Sequence, residues 1–167
     1  DEQRLSRRYK DGVVKIDGYL EDYAFLGRGA FDLYQATGEV DHLAFALDLA
    51  RAIEREFWDE TEETLYFTPQ DGESLIARPQ EPTDQSTPSS MGVAAELLEQ
   101  LSHFCTDDTF AEIAETVVDR QGGRIESNPL QHASLTLAAE TVIEGPLELA
   151  LVADGIPEQY REELREW

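Results

Sequence analysis

The chain has 167 residues, enough for about one domain with a sizeable core, and 41% of them are hydrophobic. Thirty-six acidic residues against thirteen basic ones leave a formal net charge of -23, spread along the chain, which repels nucleic acid and anionic membrane surfaces. No apolar run reaches the roughly 18 residues of a membrane span and no signal-peptide pattern opens the chain, so a cytoplasmic protein without a membrane partner is expected.

Only Lys10 and Lys15 are lysines; the other eleven basic residues are arginines. An acidic surface with so little lysine is the habit of proteins from salt-accumulating microbes, where ionic strength screens self-repulsion. Cys105 is the single cysteine, so the chain by itself has neither a disulfide nor a dithiol pair. It opens at Asp1 with no initiator Met, and a piece of a longer polypeptide is expected.

Apolar residues recur at helical spacing almost throughout. The spacing predicts a first helix over 20–37 with Tyr19, Tyr23, Leu26, Ala30 and Leu33 on one stripe, ended by Gly38. Asp41 is placed to cap a second helix with Leu43, Ala46, Leu47, Ala50, Ile53 and Phe57 inward. About three residues join the two, so they run antiparallel. In the polar segment 59–88, stretches 65–68 and 74–78 have strand composition about a turn at Asp71 and Gly72, which predicts a small hairpin over one end of the helices. Pro79, Pro82 and Pro88 then hold the chain extended until a third helix begins near Ser89 or Ser90.

The third helix carries Val93, Ala94, Leu97, Leu98, Leu101 and Phe104 inward. Thr109 and Glu112 read as a capping box for a fourth helix, which Gly122 and Gly123 are expected to end. A fifth spans about 130–144, with Leu135, Ala138, Ala139 and Val142 inward and Gly145 and Pro146 as terminators. Residues 147–152 have strand composition and 158–167 read as a short last helix, a strand-helix extension over 147–167. Residues 1–167 are thus read as one mainly α domain. Successive antiparallel hairpins give a partial α/α toroid.

Antiparallel tracing puts Tyr19, Glu21, Asp22, Tyr23, Trp58, Asp59, Asp84, Ser89, Ser90, Asn128 and His132 on one rim. Carboxylates, aromatic faces and helix N-termini together suit a sugar-like polyhydroxyl ligand. Asp22 and His132 are the candidate catalytic groups, His132 as a general base, with Tyr19, Tyr23, Trp58, Asp84 and Ser89 as candidate binding residues. Each has a structural alternative. Glu21 and Asp22 favour a helix dipole, Tyr23 and Trp58 suit a core, and Ser89 and Ser90 suit a cap better than a nucleophile, since GxSxG is absent. A lone His at a helix start is also compatible with a structural role. The three histidines are too scattered for a metal site, and no cofactor is implied.

The ordered set GYLEDYAFL, ATG, FWD, LYFT, DGE, RP and D-x-x-TPS resembles the C-terminal helical part of the thioredoxin-domain proteins of the YyaL and spermatogenesis-associated protein 20 type. NPLQHASL and GPLELALVADG resemble that family's ending, so the likeness runs from about residue 13 onward. It implies a six-hairpin glycosidase-like α/α toroid, similar to the barrel of N-acylglucosamine 2-epimerases, and a thioredoxin-like domain elsewhere in the polypeptide. Asp22, Tyr23 and Asp84 match the family pattern. The family's PSGNS helix start reads here Pro88, Ser89, Ser90, Met91 and Gly92, with Met91 in place of an amide.

Two functions follow. One is a non-catalytic or accessory helical module that packs against a thioredoxin-like domain or a second copy of itself. The alternative is a carbohydrate-active α/α-barrel enzyme of the 2-epimerase or glycosidase type, acting on a sugar-like small molecule.

Overall fold

The computed structural model describes residues 4–72, 77–106 and 108–145. Most of the predicted strand 74–78, the joint at Asp107 and the strand-helix extension 147–167 lie outside the described residues. The protein is mainly α. In chain order it has β1 Ser6–Lys10, β2 Val13–Asp17, α1 Leu20–Thr37, α2 Val40–Phe57, β3 Trp58–Asp59, β4 Thr64–Leu65, α3 Ser90–Ser102, α4 Thr109–Ser127, a 3-10 turn Pro129–His132 and α5 Ala133–Glu144.

The sequence reading contains no counterpart of the hairpin β1–β2. Its signal is the Asp11-Gly12 pair between two five-residue strands; both residues have positive φ (53° and 77°), as a two-residue type I′ turn requires. The described hairpin in the polar segment pairs Trp58 with Leu65 and Asp59 with Thr64, upstream of the one expected around Asp71 and Gly72.

α3 packs on α1, α4 and α5, while α2 lies mainly on α1. The core between them is built from Ile53 and Phe57 of α2, Leu65 of β4, Met91, Leu97, Leu98 and Leu101 of α3, Val117 of α4 and Leu135 of α5, all at most 1% exposed. On α1 the buried face is Leu20, Tyr23, Ala24, Gly27, Ala30 and Phe31, whereas the expected Leu26 and Leu33 are 44% and 50% exposed. Small residues decide this rotation. A Cβ on Gly27 would lie 2.7 Å from Leu97 Cδ2, so Gly27 and not a leucine faces α3. Gly92 does the same between α3 and α5, where an added Cβ would lie 2.6 Å from the Ser134 carbonyl carbon and 2.7 Å from Leu135 N.

Several helix ends differ from expectation: α5 begins at Ala133 after the 3-10 turn and not near residue 130, and α3 ends at Ser102, which leaves Phe104, expected inward, 45% exposed. Gly38 ends α1 in the left-handed region as predicted, but α2 starts at once at Val40 after Glu39, so Asp41 sits in the first turn and favours the dipole without capping. Asp108 holds the N-cap position of α4, which leaves Thr109 inside the helix and no capping box. Gly122 and Gly123 do not stop α4, which continues to Ser127. Two helical glycines cost only about 1 kcal/mol each, and buried Val117, Val118 and Gln121 with partly buried Ile125 hold the helix down on both sides of them.

Candidate functional site

Hydrogen bonds between the loops show which helix ends meet. Leu20 N–H donates to the Phe67 carbonyl (2.9 Å), Tyr66 N–H to Phe57 (3.0 Å), Phe67 N–H to Pro79 (2.8 Å) and Asp84 N–H to Gln131 (2.9 Å). The N-termini of α1, α3 and α5 and the C-terminus of α2 therefore share one end of the molecule. Antiparallel tracing of the sequence leads to the same rim.

At α1, Tyr19 N–H donates to the Asp22 carboxylate (2.8 Å) and Asp22 N–H to the Tyr19 carbonyl (3.0 Å), a reciprocal closure of the first turn. Arg7 of β1 reaches both acids of that turn, hydrogen-bonding Glu21 and lying 3.2 Å from Asp22, with its guanidinium 4.5 Å above the Tyr19 ring. Tyr23 is 2% exposed. Its ring packs on Phe57 at 5.2 Å and its hydroxyl accepts from Leu5 N–H at 2.9 Å. Burial raises the Tyr23 pKa, against the opposing pull of that N–H. Tyr23 is thus a core aromatic whose ring and hydroxyl are both engaged by the fold.

Asp84 sits between α3 and α5. One carboxylate oxygen accepts from Ser89 N–H (2.6 Å) and the Ser134 hydroxyl (2.6 Å); the other accepts from Ser134 N–H (2.9 Å). Burial pushes the Asp84 carboxyl up, but the hydrogen bonds from Ser134, Ser89 and Ala133 outweigh it and hold the group below its ordinary value. One carboxylate therefore joins two helix N-termini. Ser89 caps α3: its oxygen accepts from Gly92 N–H (3.2 Å) while its hydroxyl donates to the Glu81 carbonyl (2.7 Å). Beside it, burial and then the nearby Glu21 charge raise the Glu81 carboxyl. Met91 faces the core and is fully buried.

His132 is 6% exposed. Its Nδ1 is 3.0 Å from the Asn128 carbonyl, which can only accept, so Nδ1 carries a proton; Nε2 is 3.4 Å from the Thr83 hydroxyl. Trp58 stands apart from these groups. It lines an open groove of about 950 Å³ between the end of α2 and the start of α4, whereas Tyr19 lines a second groove of about 570 Å³ between β2 and Pro69. Neither groove is lined by Asp22, Tyr23, Asp84, Ser89 or His132. The predicted residues share a rim and form three separate clusters on it.

Sequence reasoning missed Ser134, Arg7 and Arg4. Arg4 hydrogen-bonds Asp71 (2.9 Å) and pairs with Glu56, a carboxylate 4% exposed that Arg55 also contacts at 2.8 Å. Nothing local marks these residues, because their partners lie up to 67 positions away.

No family model matches the chain. Over 88 residues, 52% of the chain, it is 36% identical to spermatogenesis-associated protein 20 of Mus musculus and to that of Homo sapiens, in each case over 11% of the relative. Over 145 residues, 87% of the chain, it is 23% identical to an uncharacterized protein of Caenorhabditis elegans, over 20% of that protein. The chain thus spans a small part, 11% to 20%, of the length of the curated relatives it matches. These matches support, over about half of the chain, its resemblance to the spermatogenesis-associated protein 20 family.

Proposed function

We propose that this chain is a non-catalytic, accessory helical module of a thioredoxin-domain-containing protein. One observation supports the reading above the rest: the rim residues that resemble a sugar site are already engaged by the fold. Asp22 closes the first turn of α1, Tyr23 anchors the chain at Leu5, and Asp84 and Ser89 cap helices. A half-buried carboxylate that already accepts three hydrogen bonds has little capacity left for ligand hydroxyls. The same reading gives the rim a structural purpose, namely to lock helix ends so that the bundle presents a rigid surface to the thioredoxin-like domain.

The competing carbohydrate-active reading is tested by calorimetric titration with a panel of monosaccharides and disaccharides, on the wild-type chain and on Asp22→Asn. No saturable heat is expected from either. Saturable binding by the wild type that disappears in Asp22→Asn, with helix content unchanged, would sink the accessory reading.

A further inference from the structure

The hairpin β1–β2 is exposed on both faces along its whole length. Paired residues share a face, so the register Arg8↔Lys15 and Lys10↔Val13 gathers three cations on one side. Tyr9↔Val14 lies on the opposite side, and the apolar Tyr9, Val14 and Ile16 of the hairpin are 77%, 59% and 53% exposed. Among the described residues no ion pair uses Arg8, Lys10 or Lys15; the hairpin's link to the body runs through Arg7. A two-stranded ribbon with both faces in water is marginal by itself. Ile16 adds strain, since its φ of 66° is a left-handed conformation that β-branched residues avoid. The ribbon therefore lacks the contacts that a stable sheet face needs.

Charge selects the occupant. Residues 4–17 hold five of the thirteen cations and only two carboxylates, which leaves 8 cations against 34 carboxylates for the rest of the chain. Two such hairpins repel each other, because basic edge strands guard against edge-to-edge pairing. The helical body of a second copy is complementary. Its groove between α2 and α4, about 950 Å³ in volume, carries Glu54, Asp59, Glu60 and Glu112 around Trp58. With Glu63 the lining holds five carboxylates against Arg51 and Arg55, so its net charge is negative. Trp58, which lines the groove, offers an aromatic surface to Tyr9.

We propose that the β1–β2 hairpin of one copy docks in the acidic α2–α4 groove of a second copy, making this chain self-associating. The proposal concerns a surface other than the rim and stands apart from the accessory-module reading, which the sugar titration tests separately.

A charge-swap experiment decides it, read by sedimentation velocity from micromolar to near-millimolar protein. The wild type is expected to associate with rising concentration. Arg8→Glu/Lys10→Glu/Lys15→Glu and, separately, Glu60→Lys/Glu112→Lys are each expected to be monomeric with unchanged helix content by circular dichroism. An equimolar mixture of the two is expected to regain association, because each supplies the surface that complements the other. Tyr9→Ser, which leaves every charge in place, is expected to weaken association by about tenfold. A wild type that stays monomeric throughout, association that survives either reversal, or a mixture that stays monomeric would each overturn the proposal.

Discussion

Asp84 shows how one side chain can decide the arrangement of two helices. Its carboxylate accepts from Ser89 at the start of α3, 5 residues on, and from Ser134 at the start of α5, 50 residues on. Asp84→Asn turns the second oxygen into a donor that faces Ser134 N–H. Charge-assisted hydrogen bonds are worth about 1.5–3 kcal/mol each, so a loss of about 2–4 kcal/mol in urea denaturation at pH 7 is predicted. The pH dependence follows from the lowered folded-state pKa. The Asp84 contribution is present above the unfolded value, about 3.9, and is lost as pH falls through the folded one. Wild type should therefore lose stability below about pH 4 and Asp84→Asn should lose less over the same range. Equal acid sensitivity in the two proteins would show that Asp84 does not carry the effect.

At the scale of elements, glycines have two opposite meanings in this chain. Gly92 stands where α3 and α5 touch, and the atoms an added Cβ would meet are two of the α5 backbone and the Ser134 Cβ, which no rotamer change can move. Gly92→Ala should therefore separate the helices and cost about 1–3 kcal/mol, measured as a lower urea midpoint. Gly122 and Gly123 lie inside α4 with open space where a side chain would be. Alanine at either should stabilise by about 1 kcal/mol, a gain visible as a higher midpoint with the same slope. From sequence alone the three glycines look alike. Helix periodicity near Gly122 and Gly123 was readable, yet the choice between a stop and a tolerated glycine depended on how firmly Val117, Val118 and Gln121 are packed.

For the whole molecule, charge dominates. A net charge of -23 with two lysines predicts self-repulsion that salt relieves. The melting temperature should rise by about 5 °C or more between dilute buffer and molar KCl, followed by thermal circular dichroism. An unchanged melting temperature would remove the halophilic reading. The basic hairpin is the local exception to this acidic field, and its placement at the N-terminal end of α1 brings Arg7 to Glu21 and Asp22.

Local periodicity and turn chemistry by themselves determined which stretches are helical, the left-handed stop at Gly38, the start of α3 after Ser89 and which helix ends meet. Those features depend on contacts within one or two turns and on chain direction, and both are written in neighbouring residues. Only the tertiary structure decided which face of α1 is buried and which partners the rim residues hold. Ala24 and Gly27 prevailed over Leu26 and Leu33 because close helix approach is set by the partner helix. Asp84 and Tyr23 are held by Ser134 and Leu5, hydrogen-bonding partners that no local pattern announces.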